Sequence, residues 1–204
     1  MSRHAGLQLF RMDGRLEAGV DEAGRGCLAG PVTAAAVIPG EKGKGWLKLG
    51  LDDSKKLGPE ARSALRQRIE AEAEAWCVGW ASVEEIEKLN ILQATYLAMH
   101  RAIDGLQIQP EHVLIDGNRF KPHAIPHTCE IKGDGRFLSI AAASILAKTH
   151  RDALMQDLSE QHPHYGWGGN KGYPTPAHKA AILEHGHTHH HRTTFRGVQG
   201  TLFA

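Results

Sequence analysis

Gly19-Val20-Asp21-Glu22-Ala23-Gly24-Arg25-Gly26 joins a pair of adjacent acids to a glycine-rich turn. Residues 16–23 alternate apolar and polar side chains and run into a glycine-rich turn, the pattern of a β-strand that stops abruptly. Two adjacent acids at its end are costly. Like charges repel, and a carboxylate in an apolar strand loses hydration unless a cation compensates it. Neighbouring strand residues point to opposite faces, so both acids reach one site only where the strand ends or twists, which Gly24 permits.

Outward from this strand, residues 31–39 and 76–83 read as second and third strands, rich in Val, Ile, Ala and Trp. Pro59 opens a helix over 59–75 from a first-turn position, with Leu65 and Ile69 at helical spacing. Residues 83–106 form one or two helices. Residues 113–115 make a short apolar strand ending at Asp116, and 125–131 the next strand. The longest helix spans 139–158, with Ile140, Ala143, Ala147, Leu154 and Leu158 on its apolar positions and Ser139 as its cap. A short helix follows over 177–184. Strands first, then strands mixed with helices, predict an α/β fold around a mixed sheet.

The 204 residues suit one domain. Lys and Arg total 24 against 23 Asp and Glu, which excludes a uniformly basic sheath or an acidic tail. The charge is uneven: residues 59–112 net −4, while the flanks together net +5, so a polyanion would meet the flanks. Apolar runs are far shorter than the ~20 residues of a membrane helix, and residues 1–11 lack a secretory signal. Cys27, Cys77 and Cys129 are widely spaced and in no paired motif, so no disulfide is expected and a cytoplasmic location is.

Two further acids sit beside glycines: Asp116 before Gly117-Asn118, and Asp134 between Gly133 and Gly135. Carboxylates at strand ends with flexible neighbours can converge on hard cations, and magnesium takes oxygen ligands. Each acid alone also reads as ordinary turn chemistry; the Asp21-Glu22 pair resists that reading.

Gly24-Arg25-Gly26-Cys27-Leu28-Ala29-Gly30 is not a dinucleotide fingerprint. Its last interval is one residue too long, and Pro31 opens a strand. A bare turn with one guanidinium remains, whose amides can bond a sugar hydroxyl or a phosphate. Lys55-Lys56 after Asp52-Asp53-Ser54, Lys148 and Lys171 are further loop or helix cations. Tyr173, in Gly172-Tyr173-Pro174, is either a core plug or a platform for a sugar or base.

Together these pieces resemble the bacterial ribonuclease HII family. The matching stretches are the opening octapeptide, Gly30-Pro31-Val32, Asp52-Asp53-Ser54-Lys55-Lys56-Leu57, Ile115-Asp116-Gly117-Asn118, Lys132-Gly133-Asp134, the run from Ser139 to Lys148, Asn170-Lys171-Gly172-Tyr173-Pro174-Thr175 with His178, and His190-His191-Arg192. The resemblance implies a ribonuclease H-like fold, with a central five-stranded mixed sheet whose first three strands are antiparallel, flanked by helices. It implies an endonuclease that cuts the RNA strand of RNA–DNA hybrids, including single ribonucleotides embedded in duplex DNA, leaving 3′-hydroxyl and 5′-phosphate ends. Asp21, Glu22, Asp116 and Asp134 match the family's metal-binding carboxylates, for magnesium or manganese. Gly24, Arg25 and Gly26 match the turn that senses the 2′-hydroxyl, and Tyr173 the residue that stacks on the next sugar. Ser54, Lys55 and Lys148 match phosphate or support contacts. Gly58 stands where relatives carry a Ser or Thr cap, and Thr193 where they often carry a second Arg.

The expected organisation is one catalytic domain over 1–198 with a C-terminal helical part, and a tail over 199–204. In that tail Gln199, Leu202 and Phe203 match a sliding-clamp-binding peptide; the alternative is a frayed or docked terminus. A monomer is expected. His185, His187, His189, His190 and His191 are read as a polar tail titrating near pH 6.5, the rival reading being a zinc or nickel site.

Overall fold

The computed structural model describes residues 6–11, 14–51 and 57–198. Five strands, β1 (Glu17–Ala23), β2 (Val32–Ile38), β3 (Ala75–Ala81), β4 (His112–Asp116) and β5 (His127–Glu130), form one sheet in the order β3-β2-β1-β4-β5. The β1–β2 and β2–β3 pairs are antiparallel, and β4 joins β1, and β5 joins β4, in parallel. This is the mixed sheet expected from the sequence. Val20 pairs with Ile115 across the central parallel pair, so Asp21 and Asp116 follow one step on, at the same end of the sheet.

The helices are α1 (Pro59–Glu72), α2 (Val83–Leu89), α3 (Ile91–Asp104), α4 (Leu138–Gln161), α5 (Trp167–Asn170) and α6 (Pro176–His185). Residues 83–106 divide in two at Asn90. Its backbone is left-handed at φ 69°, and its side chain accepts from the amides of Leu92 and Gln93 to start α3. A Ser82–Glu85 capping box starts α2. The sequence did not flag the 3-10 segment Glu41–Leu49, because its one large buried side chain, Trp46, makes no periodic pattern; the indole donates to Glu72 at 2.9 Å.

The sheet carries one core on each face. Ala18, Val20, Ala34 and Ala36 pack with Ala98, Met99 and Ile103 of α3, while Ala35 and Val37 pack with Ala141, Ala142 and Ile145 of α4. Fully burying one Ile or Met side chain contributes roughly 1.5–3 kcal/mol. The small residues on α4 let it lie close on β1. At Gly19 a Cβ would fall 2.2 Å from the Ser139 carbonyl carbon, so any larger residue there would push the helix off the sheet.

This contact corrects the expectation that Ser139 caps the long helix. The helix starts at Leu138, Phe137 is its N-cap, and no side chain caps it. Ser139 is instead buried under Gly19. Backbone does the capping: Phe137 N bonds the Gly133 carbonyl, and Leu138 N bonds the Gln8 carbonyl. Among the described residues no helix is long and apolar enough to cross a membrane.

Candidate active site

Asp21 and Glu22 leave opposite faces of β1, as adjacent strand residues must. Asp21 lies on the α4 side, 6 % exposed, accepting from the Glu22 amide at 2.7 Å and hydrogen-bonded to Ser144. Glu22 lies on the α3 side and accepts from Arg25 at 3.0 Å. Asp116, at the end of β4, accepts from the Gly133 amide at 2.7 Å. That amide belongs to the 3-10 turn Gly133–Gly135, which carries a half-buried Asp134.

The electrostatics join three of the four acids. Burial, then the charges of Glu22 and Asp116, hold the Asp21 carboxyl well above the usual carboxylate range. Burial also raises Glu22, opposed by Arg25 and reinforced by Asp116. Asp134 is the next residue after Gly133, whose amide bonds Asp116. Among the described residues no three His, Cys, Asp or Glu side chains are arranged as a ready metal-binding cluster; Asp21, Glu22 and Asp116 are bonded to Ser144, Arg25 and backbone amides. The donor set nevertheless fits a hard divalent cation: the ligands are all oxygen, and at least two of them are penalised for being ionised without one.

Beside the acids opens a cleft of about 490 Å³ lined by Glu22, the Gly24-Arg25-Gly26 turn, Arg62, Lys148 and Tyr173 among others. Tyr173 is 42 % exposed and lines this cleft, so it is not a core plug. Its fixings are several: its amide bonds the Asn170 carbonyl, its carbonyl accepts from His178 Nδ1 at 2.9 Å, and its hydroxyl is hydrogen-bonded to the Cys27 thiol. Lys148 Nζ lies 6.0 Å from the ring centroid and pairs with Asp152. Ser54 and Lys55 lie outside the described residues, as do Gln199, Leu202 and Phe203.

Sequence reasoning missed the roles of three residues. Arg62 lines the cleft and a second groove of about 600 Å³ that also holds Arg66, Lys148 and Lys171; its signal was only a charge on α1. Arg151 and Arg192 are fully buried guanidiniums beneath the glycine turn. Arg151 gave no sign beyond interrupting the apolar positions of α4.

The histidine-rich tail is corrected as well. His191 is 1 % exposed. Its Nδ1 accepts from the Thr188 amide, so its Nε2–H faces His178 Nε2 at 3.3 Å, which also accepts from the Trp167 indole. Burial, with His178 and His187 nearby, lowers its pKa to about 3. It is a neutral core residue, packed with Tyr165 and Trp167, because an alternating His-Thr-His run hides which ring turns inward. His185, His187 and His189 are exposed.

A five-stranded mixed sheet flanked by helices, with acids at the adjoining ends of its central strands, defines a hydrolase of the ribonuclease H-like class. The family model for ribonuclease HII matches residues 18–198. Ribonuclease HII of Bacteroides thetaiotaomicron is 61 % identical over 181 residues, 88 % of this chain and 89 % of that protein. Ribonuclease H2 of Pyrococcus horikoshii OT3 superposes with a TM-score of 0.79 at 25 % identity, over 91 % of this chain and 96 % of that one. A PCNA:RNase HII complex from Archaeoglobus fulgidus gives 0.76 at 26 %, over 89 % and 95 %. The chain belongs to the ribonuclease HII family, which cleaves RNA in RNA–DNA hybrids with divalent metals.

Proposed function

We propose that this ribonuclease H also cuts duplex DNA at a single embedded ribonucleotide, by two-metal-ion hydrolysis that leaves 3′-hydroxyl and 5′-phosphate ends, and so removes ribonucleotides from DNA. The observation that carries this reading is the cleft itself, in which an exposed, fixed tyrosine shares the lining with a glycine-flanked turn next to buried acids.

In this reading Asp21, Glu22, Asp116 and Asp134 hold the cations. When bound, such ions supply an activated water and neutralise the developing charge of an in-line phosphoryl displacement. The chain supplies the rest. Amides of Gly24, Arg25 and Gly26 bond the ribose 2′-hydroxyl, the feature that separates RNA from DNA. Tyr173 stacks on the sugar that follows, which in an embedded site is a deoxyribose. Lys148, with Ser54 and Lys55, meets phosphates, and the groove of Arg62 and Lys171 extends the cationic track. A nucleophilic side chain is unnecessary.

Residues 1–198 act as one catalytic unit in the cytoplasm. Gln199, Leu202 and Phe203 dock a sliding clamp, a reading supported by the PCNA complex of the Archaeoglobus relative. The test is cleavage of a duplex carrying one ribonucleotide, with magnesium, with manganese and with chelator. A single cut 5′ of the ribonucleotide–DNA junction with either metal, and none with chelator, is expected; cutting of long hybrids alone removes the embedded-site reading.

A further inference from the structure

We propose that Arg151 is a specificity-determining positioning residue: its buried guanidinium locks the Gly24–Gly26 turn and the Tyr173 loop into one rigid unit, so that the two contacts to an embedded ribonucleotide act together. The inference rests on the reading of that turn and of Tyr173 as substrate contacts.

Arg151 is 1 % exposed on α4. Its Nε donates to the Pro31 carbonyl at 3.0 Å and its Nη2 to the Ala29 carbonyl at 2.9 Å, both on the chain leaving the turn. Its Nη1 donates to the Lys171 carbonyl at 2.8 Å, two residues before Tyr173. One planar fork thus spans two segments far apart in sequence. A buried charge is held this way only where its donors are satisfied, so the bonds define the relative position of both segments.

The turn is fitted to this guanidinium. Gly24 has φ +92°, and a Cβ there would lie 2.0 Å from Arg151 Nε. The two segments also touch directly. Leu28 N bonds the Gly172 carbonyl at 2.7 Å, and a Cβ on Gly172 would lie 2.6 Å from the Ala29 carbonyl oxygen. Arg192 fastens the turn from its other side, donating to the Arg25 and Gly30 carbonyls. Arg151 alone reaches from the turn to the tyrosine loop among these two arginines' bonds. A lysine keeps the charge but is a point donor and cannot span three carbonyls in fixed directions.

The experiment measures kcat/KM of the full chain on two substrates, a duplex with one ribonucleotide and a long RNA–DNA hybrid, for Arg151→Lys, Tyr173→Ala and the double variant. Misplacing a contact group by an ångström costs up to ~100-fold. Arg151→Lys is expected to lower the embedded-to-hybrid ratio about tenfold and to lower it no further in the Tyr173→Ala background, the non-additivity of residues acting through one contact. Equal loss on both substrates, or independent effects that multiply, overturns the proposal. If Tyr173→Ala itself leaves the ratio unchanged, the reading of Tyr173 fails instead. Should Arg151→Lys not fold, Gly172→Ala parts the same segments with Arg151 intact and is expected to lower the same ratio; an unaltered ratio there also overturns it.

Discussion

Glu22 and Arg25 form a 3.0 Å ion pair in the lining of the cleft. The guanidinium is half exposed and bonds one Glu22 oxygen, so under the proposed function it competes with a cation for that carboxylate. Arg25→Ala is therefore expected to tighten manganese binding in the absence of nucleic acid by a few-fold, the scale of an exposed pair worth about 0.2–1 kcal/mol. Calorimetric titration of the metal alone checks this. Weaker binding by the variant would mean that Arg25 organises the acids and does not compete for them.

Tyr173 is expected to matter most where an RNA-to-DNA junction is the only feature to recognise. Tyr173→Ala should lose activity on single embedded ribonucleotides by roughly tenfold or more, since stacking on an aromatic platform is worth ~1–3 kcal/mol. Activity on long hybrids should fall far less. Matching losses in parallel assays would reduce Tyr173 to a structural tyrosine.

Lys148 and Arg62 line the cleft and the adjoining groove together. Each phosphate neutralised adds about 0.9 to the magnitude of the log–log salt slope of binding to B-form duplex. Lys148→Ala and Arg62→Ala are each expected to flatten that slope by about one, with binding measured in calcium or chelator so that no strand is cut. A slope unchanged in both variants would place the backbone elsewhere.

His191 sets an acid limit on stability. Its folded pKa is depressed from the ordinary 6.5 to about 3, so the folded protein keeps it neutral where the unfolded chain would protonate. Stability from this group is complete above pH 6.5 and is lost as the pH falls towards 3, in total on the order of a few kcal/mol. Thermal melts from pH 7 to 4 should show a falling Tm, with a shallower fall for His191→Gln. A variant as acid-sensitive as the parent would shift that role to His178 or His190, which burial lowers in the same direction.

The central strand, its two acids and the glycine turn were legible because each breaks a local rule: paired charge in an apolar strand, then glycines where a strand should continue. The sheet followed from short apolar runs between helical patterns. Ser139 misled because a helix-capping side chain and a buried small one look alike in sequence; the choice was made by Gly19, 120 positions earlier in the chain, which lets the backbones touch. Arg151 and Arg192 were illegible as positioning groups because their partners are backbone carbonyls, which carry no residue identity. The inward turn of His191 depends on Thr188, Trp167 and His178, brought together only by the fold.

Asp116→Asn tests whether the acids at the ends of β1 and β4 hold the metal ions of hydrolysis. It keeps an acceptor for the Gly133 amide while removing the charge. Cleavage of the single-ribonucleotide duplex, measured beside binding of the same duplex in chelator, should fall by several orders of magnitude with affinity within a few-fold of the parent, as loss of a metal ligand predicts. Cleavage retained at the parental rate would mean that Asp116 holds no catalytic metal.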